Sequence, residues 1–310
     1  LSSEKLLRIE GCFCAYRPSV SRPHRLTSGE LDIKPTPALA NGFVTFGCCN
    51  TFHKVTDFTL SLWARILKET PNSKLLLEVG NASAPDVLKA VHEKIERAGI
   101  DLLQVEITDR RKNMQYMLYH QIDIVLDPFP CNGGTTTCDA LFMSVPVVSL
   151  QGDSFMSRLG ASFISNAGHP EWVTHDPDQY VAIATQLASN IEALNHIRQN
   201  LRHEVETSPV MDEIGFARKV ERAYRQFWRD WCAEHAEEQK TTATILPEQE
   251  NQAAAPVLTG DDAKHQEALD KLHTLVKQQQ WEEASQQLET ISKTKAWTAQ
   301  NYFDAAKVKA

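Results

Sequence analysis

A doubly wound α/β domain is the fold class that this sequence predicts, and three observations predict it. Five short β-rich runs alternate with helical stretches between residues 44 and 150. Residues 122–126 and 146–150 are nearly unbroken apolar runs, the pattern of strands buried on both faces of a parallel sheet. Between those two strands lies a Gly- and Thr-rich segment, residues 127–139, which places small and hydroxylated residues at a strand's carboxyl end, where open α/β sheets bind ligands.

The elements follow in chain order. Residues 1–42 read as an extended connecting segment, because Pro18, Pro23, Pro35 and Pro37 interrupt a stretch with little periodicity. Val44-Thr45-Phe46 begins the alternation, followed by a helix near 57–69 with Leu60, Trp63, Ala64 and Leu67 on one face. Leu75-Leu76-Leu77 is the next strand, and a helix near 85–98 leads to Val105-Glu106-Ile107. A short helix around 112–120 precedes the strand at 122–126, and a helix from Asp139 to Met143 precedes the strand at 146–150. Residues 154–166, 178–204 and 212–236 read as helices, the last rich in aromatic and basic residues and suited to packing across the domain or against a neighbour. The nucleotide-binding lobe is thereby placed at 43–236.

Residues 237–262 change to Glu, Gln, Thr, Ala and Pro without periodic apolar positions and read as a flexible linker. Beyond it, Ala268, Leu269, Leu272, Leu275 and Val276, then Trp281, Ala284, Leu288 and Ile291, give residues 263–310 the spacing of a helical hairpin. It is either generic or of tetratricopeptide type.

With 310 residues and 42% hydrophobic content the chain has the means to bury a sizeable core, while a formal charge of −8 argues against nucleic acid as a partner. No run of 18 apolar residues predicts a membrane span. Seven cysteines without C-x2-C pairing suit thiols in a reducing compartment, so a cytoplasmic location is expected. The sequence starts at Leu1 and reads as a piece of a longer protein.

The chemistry concentrates in Asp127-Pro128-Phe129-Pro130-Cys131-Asn132-Gly133-Gly134-Thr135-Thr136-Thr137-Cys138-Asp139. Gly133 and Gly134 let a backbone approach an anion and adopt positive φ. Thr135, Thr136 and Thr137 supply hydroxyls and amide donors at a helix N-terminus, whose partial positive charge favours phosphate. Asp139, one turn into the helix, is spaced to accept hydrogen bonds from vicinal hydroxyls such as a ribose carries. The structural alternative is a Thr-capped helix start, for which one hydroxyl suffices and three poor helix formers in a row are surplus. Lys54, just after the first strand, is a cation that can neutralise a diphosphate without a metal, although taken alone it reads as a surface lysine. Lys112 reads equally as a nucleoside contact or a solvated basic turn. Arg158 reads as an anion contact or a buried salt bridge, the structural role being favoured, and Asp176-Pro177-Asp178 as a helix cap rather than a cation site.

From Phe46 to about Trp231 the chain resembles the C-terminal catalytic lobe of the O-GlcNAc transferase and SPINDLY family, especially its bacterial members. The resemblance is carried by Tyr16-Arg17-Pro18, Ala40-Asn41-Gly42, Thr45-Phe46-Gly47, Lys54, Leu62-Trp63-Ala64, Pro71-Asn72-Ser73, the block from Asp123 to Asp139 and Ser157-Arg158 with Ala161-Ser162. It implies a GT-B fold of two Rossmann-like lobes with a nucleotide sugar between them. It further implies transfer of N-acetylglucosamine from its UDP form to Ser or Thr hydroxyls of a protein acceptor, with inversion, without a metal or other cofactor; SPINDLY-type members use a fucose donor. By position, Lys54 falls at the leaving diphosphate, Thr135 and Thr136 at the phosphates, Asp139 at the ribose, Lys112 at the nucleoside and Cys131 near the donor sugar, with Asn132 and Gly133 inside the same block. Thr51 stands where animal members carry a Gln, Gly134 replaces a His, and Gln115 replaces another His. The competing class is a non-catalytic nucleotide-binding module serving protein association. A Cys–His hydrolase built on Cys131 and His120 lacks the Gly-x-Cys-x-Gly turn that would place the thiol.

Overall fold

The computed structural model describes residues 7–19, 29–109 and 115–245, with the backbone alone at 115 and 236–245 and isolated positions beyond. The predicted linker after 245 and the helical hairpin therefore lie outside the described residues, as does Lys112. Two compact units divide after His235, and the first, up to that residue, holds the whole sheet.

The strands are β1 Thr45–Cys48, β2 Lys74–Val79, β3 Val105–Asp109, β4 Ile124–Leu126, β5 Val147–Leu150 and β6 Val173–Thr174. All pair in parallel, in the order β3-β2-β1-β4-β5-β6. Strand order therefore reverses between β1 and β4, which makes that gap the topological switch point, and the crevice above it is where such sheets take ligands. β1, β4 and β5 are buried throughout, as the apolar runs require.

The helices are α1 Ala38–Asn41, α2 Asp57–Glu69, α3 Pro85–Arg97, α4 Gln115–Leu118, α5 Thr135–Phe142, α6 Leu159–Asn166, α7 Pro177–Ala188, α8 Ile191–Glu206 and α9 Glu213–Ile245. They cover the sheet with two apolar layers, one holding Trp63, Ile66 and Tyr180, the other Tyr116, Phe142 and Phe163. The stretch expected as one helix at 178–204 is two, because Asn190 takes the amide of Ala193 at 2.9 Å and starts α8 afresh. α5 begins at Thr135 rather than Asp139, so the threonines form its first turn. β6 went unpredicted. α9 continues to Ile245, past the point where composition suggested a linker, and leaves Tyr224, Trp228 and Trp231 exposed.

Two buried charges anchor the lower end of β4. Asp123 accepts hydrogen bonds from Thr36 Oγ1 at 2.5 Å, Ala38 N at 3.0 Å and Thr45 N at 2.8 Å. Arg198 of α8 donates to the carbonyls of Ile122, Tyr119 and Lys34, and its burial lowers the guanidinium to about 10. The described part of the proline-rich segment is thus tied to the sheet through backbone and side-chain bonds, which proline content alone does not reveal.

Candidate functional site

The site forms where the loops after β1 and β4 leave the sheet on either side of the switch point. From the β1 side come Asn50, Thr51 and Lys54, the last at the end of a 3₁₀ turn, Phe52–Lys54. From the β4 side come residues 127–134 and the first turn of α5. Lys54 Nζ crosses the gap and donates to the carbonyl of Asn132 at 2.9 Å. Asn50 Oδ1 accepts from Thr136 Oγ1 at 2.9 Å and lies 3.5 Å from Lys54 Nζ. The sequence-predicted lysine and threonines are thus brought together from opposite sides of the gap.

The N-cap of α5 is Gly134, so no side chain caps the helix, and its first amides carry the dipole's positive end. Thr137 N and Cys138 N turn back to the Gly134 carbonyl, both at 3.1 Å. Among the described residues, the buried Thr137 Oγ1 and Asn132 Oδ1 have no hydrogen-bond partner. Both atoms belong to the loop and first turn that bound the site, while others of the kind lie elsewhere in the fold.

Gly133 is there for room rather than for a left-handed backbone. Its φ is not positive, nor is that of Gly134, which corrects the expectation from sequence. A Cβ on Gly133 would run into Thr137 Oγ1, stand 2.9 Å from Thr136 Oγ1 and 3.0 Å from Asn50 Nδ2. Three polar groups therefore converge on the hollow that the missing side chain leaves.

The loop itself is braced on every side. Asp127, fully buried, accepts from Gly133 N at 2.7 Å and from Ser149 Oγ at 2.6 Å, and burial raises its carboxyl to about 7. Gly160 lets α6 come close enough to seal it, since a Cβ there would stand 2.5 Å from Asp127 Oδ2. Tyr180 donates to the Asp127 carbonyl at 3.1 Å and accepts from Trp63 Nε1 at 3.1 Å. Thr56 and Thr59 both donate to the Phe129 carbonyl, at 2.9 and 2.7 Å, and Phe129 N donates to Thr59 Oγ1 at 3.1 Å. Asn132 Nδ2 donates to Pro128 O and Leu150 O, while its amide N donates to Met156 O.

The remaining predicted residues fall as follows. Thr51 and Thr135 are exposed at the rim, and Cys131 is half-buried in the loop. Asp139 is almost fully buried and accepts from Tyr16 OH at 2.5 Å and Tyr116 OH at 3.2 Å, so the carboxylate expected to meet a ribose is held between two phenols. Asp176 caps α7 by accepting from Asp178 N at 2.8 Å, as its sequence context suggests. His120 Nε2 lies 2.9 Å from the Glu30 carbonyl. Asp127 fell inside the predicted block without a role of its own, and the braces Asn50, Thr59 and Tyr180 were not predicted as site residues; the Thr56–Thr59 cap at the start of α2 is a local pattern that could have pointed to one of them.

Residues 32–220 match the profile of glycosyl transferase family 41. The chain belongs to that family. Among its relatives, the barley protein "Probable UDP-N-acetylglucosamine--peptide N-acetylglucosaminyltransferase SPINDLY" is 35% identical over 231 residues, 74% of this chain and 24% of that protein. The Arabidopsis thaliana protein of the same name is also 35% identical, over 233 residues. This chain thus spans about a quarter of the length of the curated relatives it matches. Among solved structures, a mutant of the O-GlcNAc transferase of Thermobaculum terrenum superposes with a TM-score of 0.58 at 32% identity, over 62% of this chain and 37% of that one. Membership of family 41 and this sheet order make the described body a Rossmann-like lobe of GT-B type, and the family match takes in Lys54, the glycine pair and the threonines together.

Proposed function

We propose that this lobe binds the donor of a protein glycosyltransferase, a UDP-sugar of which UDP-N-acetylglucosamine is the first choice, and serves inverting, metal-independent transfer to Ser or Thr hydroxyls. The names of the relatives support that donor and a peptide acceptor. The observation that carries the reading is the uncapped start of α5 facing the Lys54 ammonium across the switch point, with Gly133 keeping the space between them open.

In this reading the acceptor oxygen attacks the anomeric carbon as the bond to the diphosphate breaks, and negative charge gathers on the departing UDP. Lys54 and the leading amides of α5 are fixed before the reaction begins, so they stabilise that charge without reorganising. The Thr135 hydroxyl and the amides of Thr135 and Thr136 bind the phosphate oxygens, the Thr136 hydroxyl having its proton on Asn50 Oδ1, and no metal is required for charge neutralisation.

Calorimetric titration of the chain with UDP should give the same affinity with and without Mg2+. In the full-length protein, Lys54→Ala should lower turnover roughly 10²–10³-fold, the loss typical of a fixed transition-state donor. UDP affinity should fall less than about tenfold. Undetectable UDP binding by the wild-type chain would remove the site. Equal losses in turnover and affinity would remove the role of Lys54, and binding without any transfer would favour the association module.

A further inference from the structure

Asn50, like Lys54, reaches from the β1 side of the site to the β4 side. It follows β1, is 4% exposed, and presents Oδ1 to Thr136 Oγ1 at 2.9 Å and to Lys54 Nζ at 3.5 Å. Its Nδ2 points into the hollow at Gly133, 3.0 Å from where a Cβ would sit. The carboxamide therefore offers an acceptor to the cation and hydroxyl and a donor to the hollow, with no charge of its own. A leucine would supply neither, and an aspartate would place negative charge where the proposed diphosphate needs none.

We infer that Asn50 is a positioning residue for the donor diphosphate: its Oδ1 relates the Lys54 ammonium to the first turn of α5 by taking the Thr136 hydroxyl proton, its Nδ2 offers an N–H to the hollow, and the lysine's charge is left uncompensated. The inference rests on the proposed donor reading. It adds a specific requirement, that the second residue after β1 be a neutral amide. Lys54 donates to the Asn132 carbonyl, and Asn50 relates that ammonium to the first turn of α5.

The test uses the chain as it stands, with UDP and uridine as separate probes. Wild-type binding of UDP is established first, since its failure would strike the donor reading and not Asn50. Asn50→Asp should weaken UDP at least tenfold, leave uridine unchanged, and flatten the salt dependence of UDP binding, because the new carboxylate pairs with Lys54. Asn50→Ala should weaken UDP by roughly three- to tenfold, again sparing uridine. Should the aspartate variant fail to fold, a cycle of Asn50→Ala with Thr136→Val decides: a positioning role makes the two losses less than additive, whereas independent losses overturn it. UDP affinity unaltered in Asn50→Asp, or uridine weakened in parallel, overturns it equally.

Discussion

The loops that flank the switch point are built to opposite plans. After β4, every turn of residues 127–134 is held by a partner from elsewhere in the fold: Thr56 and Thr59 of the α2 start, Ser149 of β5, Tyr180 of α7 and the Met156 carbonyl. After β1, Thr51 and His53 are exposed. The turn is held through Val55, whose carbonyl accepts from Lys94 Nζ at 2.5 Å, and through Lys54 itself. One wall of the cleft is thus preorganised and the other is a tether with a charge at its end. Amides that bind phosphate gain most from a rigid loop, because their alignment must precede binding, whereas the Lys54 ammonium is placed by Asn132 O and Asn50 Oδ1 and needs no rigid turn beneath it.

The comparison breaks most visibly at Gly133. Gly133→Ala places a methyl against Thr137 Oγ1, Thr136 Oγ1 and Asn50 Nδ2 at once, and Thr136 is already committed to Asn50. No single rotamer change clears three neighbours. UDP affinity should fall ~100-fold or more, the scale of a misplacement near 1 Å. Stability should fall only about 1–3 kcal/mol. Titration and urea unfolding of the same preparation check both; a variant that binds UDP normally would show the hollow to be unused.

Next in size is the pH dependence set by Asp127. Its folded carboxyl stands at about 7, above the ordinary 3.8, because burial disfavours the ionised form. The proton therefore favours the folded state. That stability is fully present below 3.8 and is lost as pH rises towards about 7, by up to roughly 4 kcal/mol. Either protonation state keeps its partners, since Ser149 Oγ can accept as well as donate and Gly133 N needs only one oxygen. Asp127→Asn removes the titration, so its stability relative to wild type should improve steadily between pH 4 and 7. Parallel unfolding curves for the two proteins across that window would show that Asp127 is not the group responsible.

Much of this was legible in sequence, for a physical reason. Parallel strands buried on both faces must be apolar throughout, and a ligand loop at a strand end must carry small and hydroxylated residues, so 122–126 and the block from Asp127 to Thr137 stood out together. The braces did not, because Thr59 and Tyr180 stand 70 and 53 positions along the chain from the loop residues they hold. Asp139 shows the same limit: helical spacing placed it correctly one turn in, but not the phenols of Tyr16 and Tyr116 that arrive from other elements. Threonine's low helix propensity set the predicted start of α5 too late, since burial of Thr137 and Cys138 outweighs that preference. β6, two residues long, leaves no period to detect.

The smallest expected effect is the one that sharpens the contrast between the two loops. Thr59→Val removes one of two donors to the Phe129 carbonyl and the acceptor of the Phe129 amide, leaving a part-buried N–H without its partner. It should cost about 1–3 kcal/mol in stability and weaken UDP several-fold. Lys94→Met makes the matching cut in the other loop. It removes the bond to Val55 O, a 3.7 Å ion pair with Asp57 and the cation's place over the Phe52 ring, while keeping an apolar stem of similar length. Because Lys54 is still held from across the gap by Asn132, the tether can loosen without losing its charge. Stability should then fall by less than about 1 kcal/mol. UDP affinity should stay within roughly twofold. If Lys94→Met weakened UDP as much as Thr59→Val does, the lysine turn would have to be as rigid a part of the cradle as the loop opposite, and the two walls would not differ in kind.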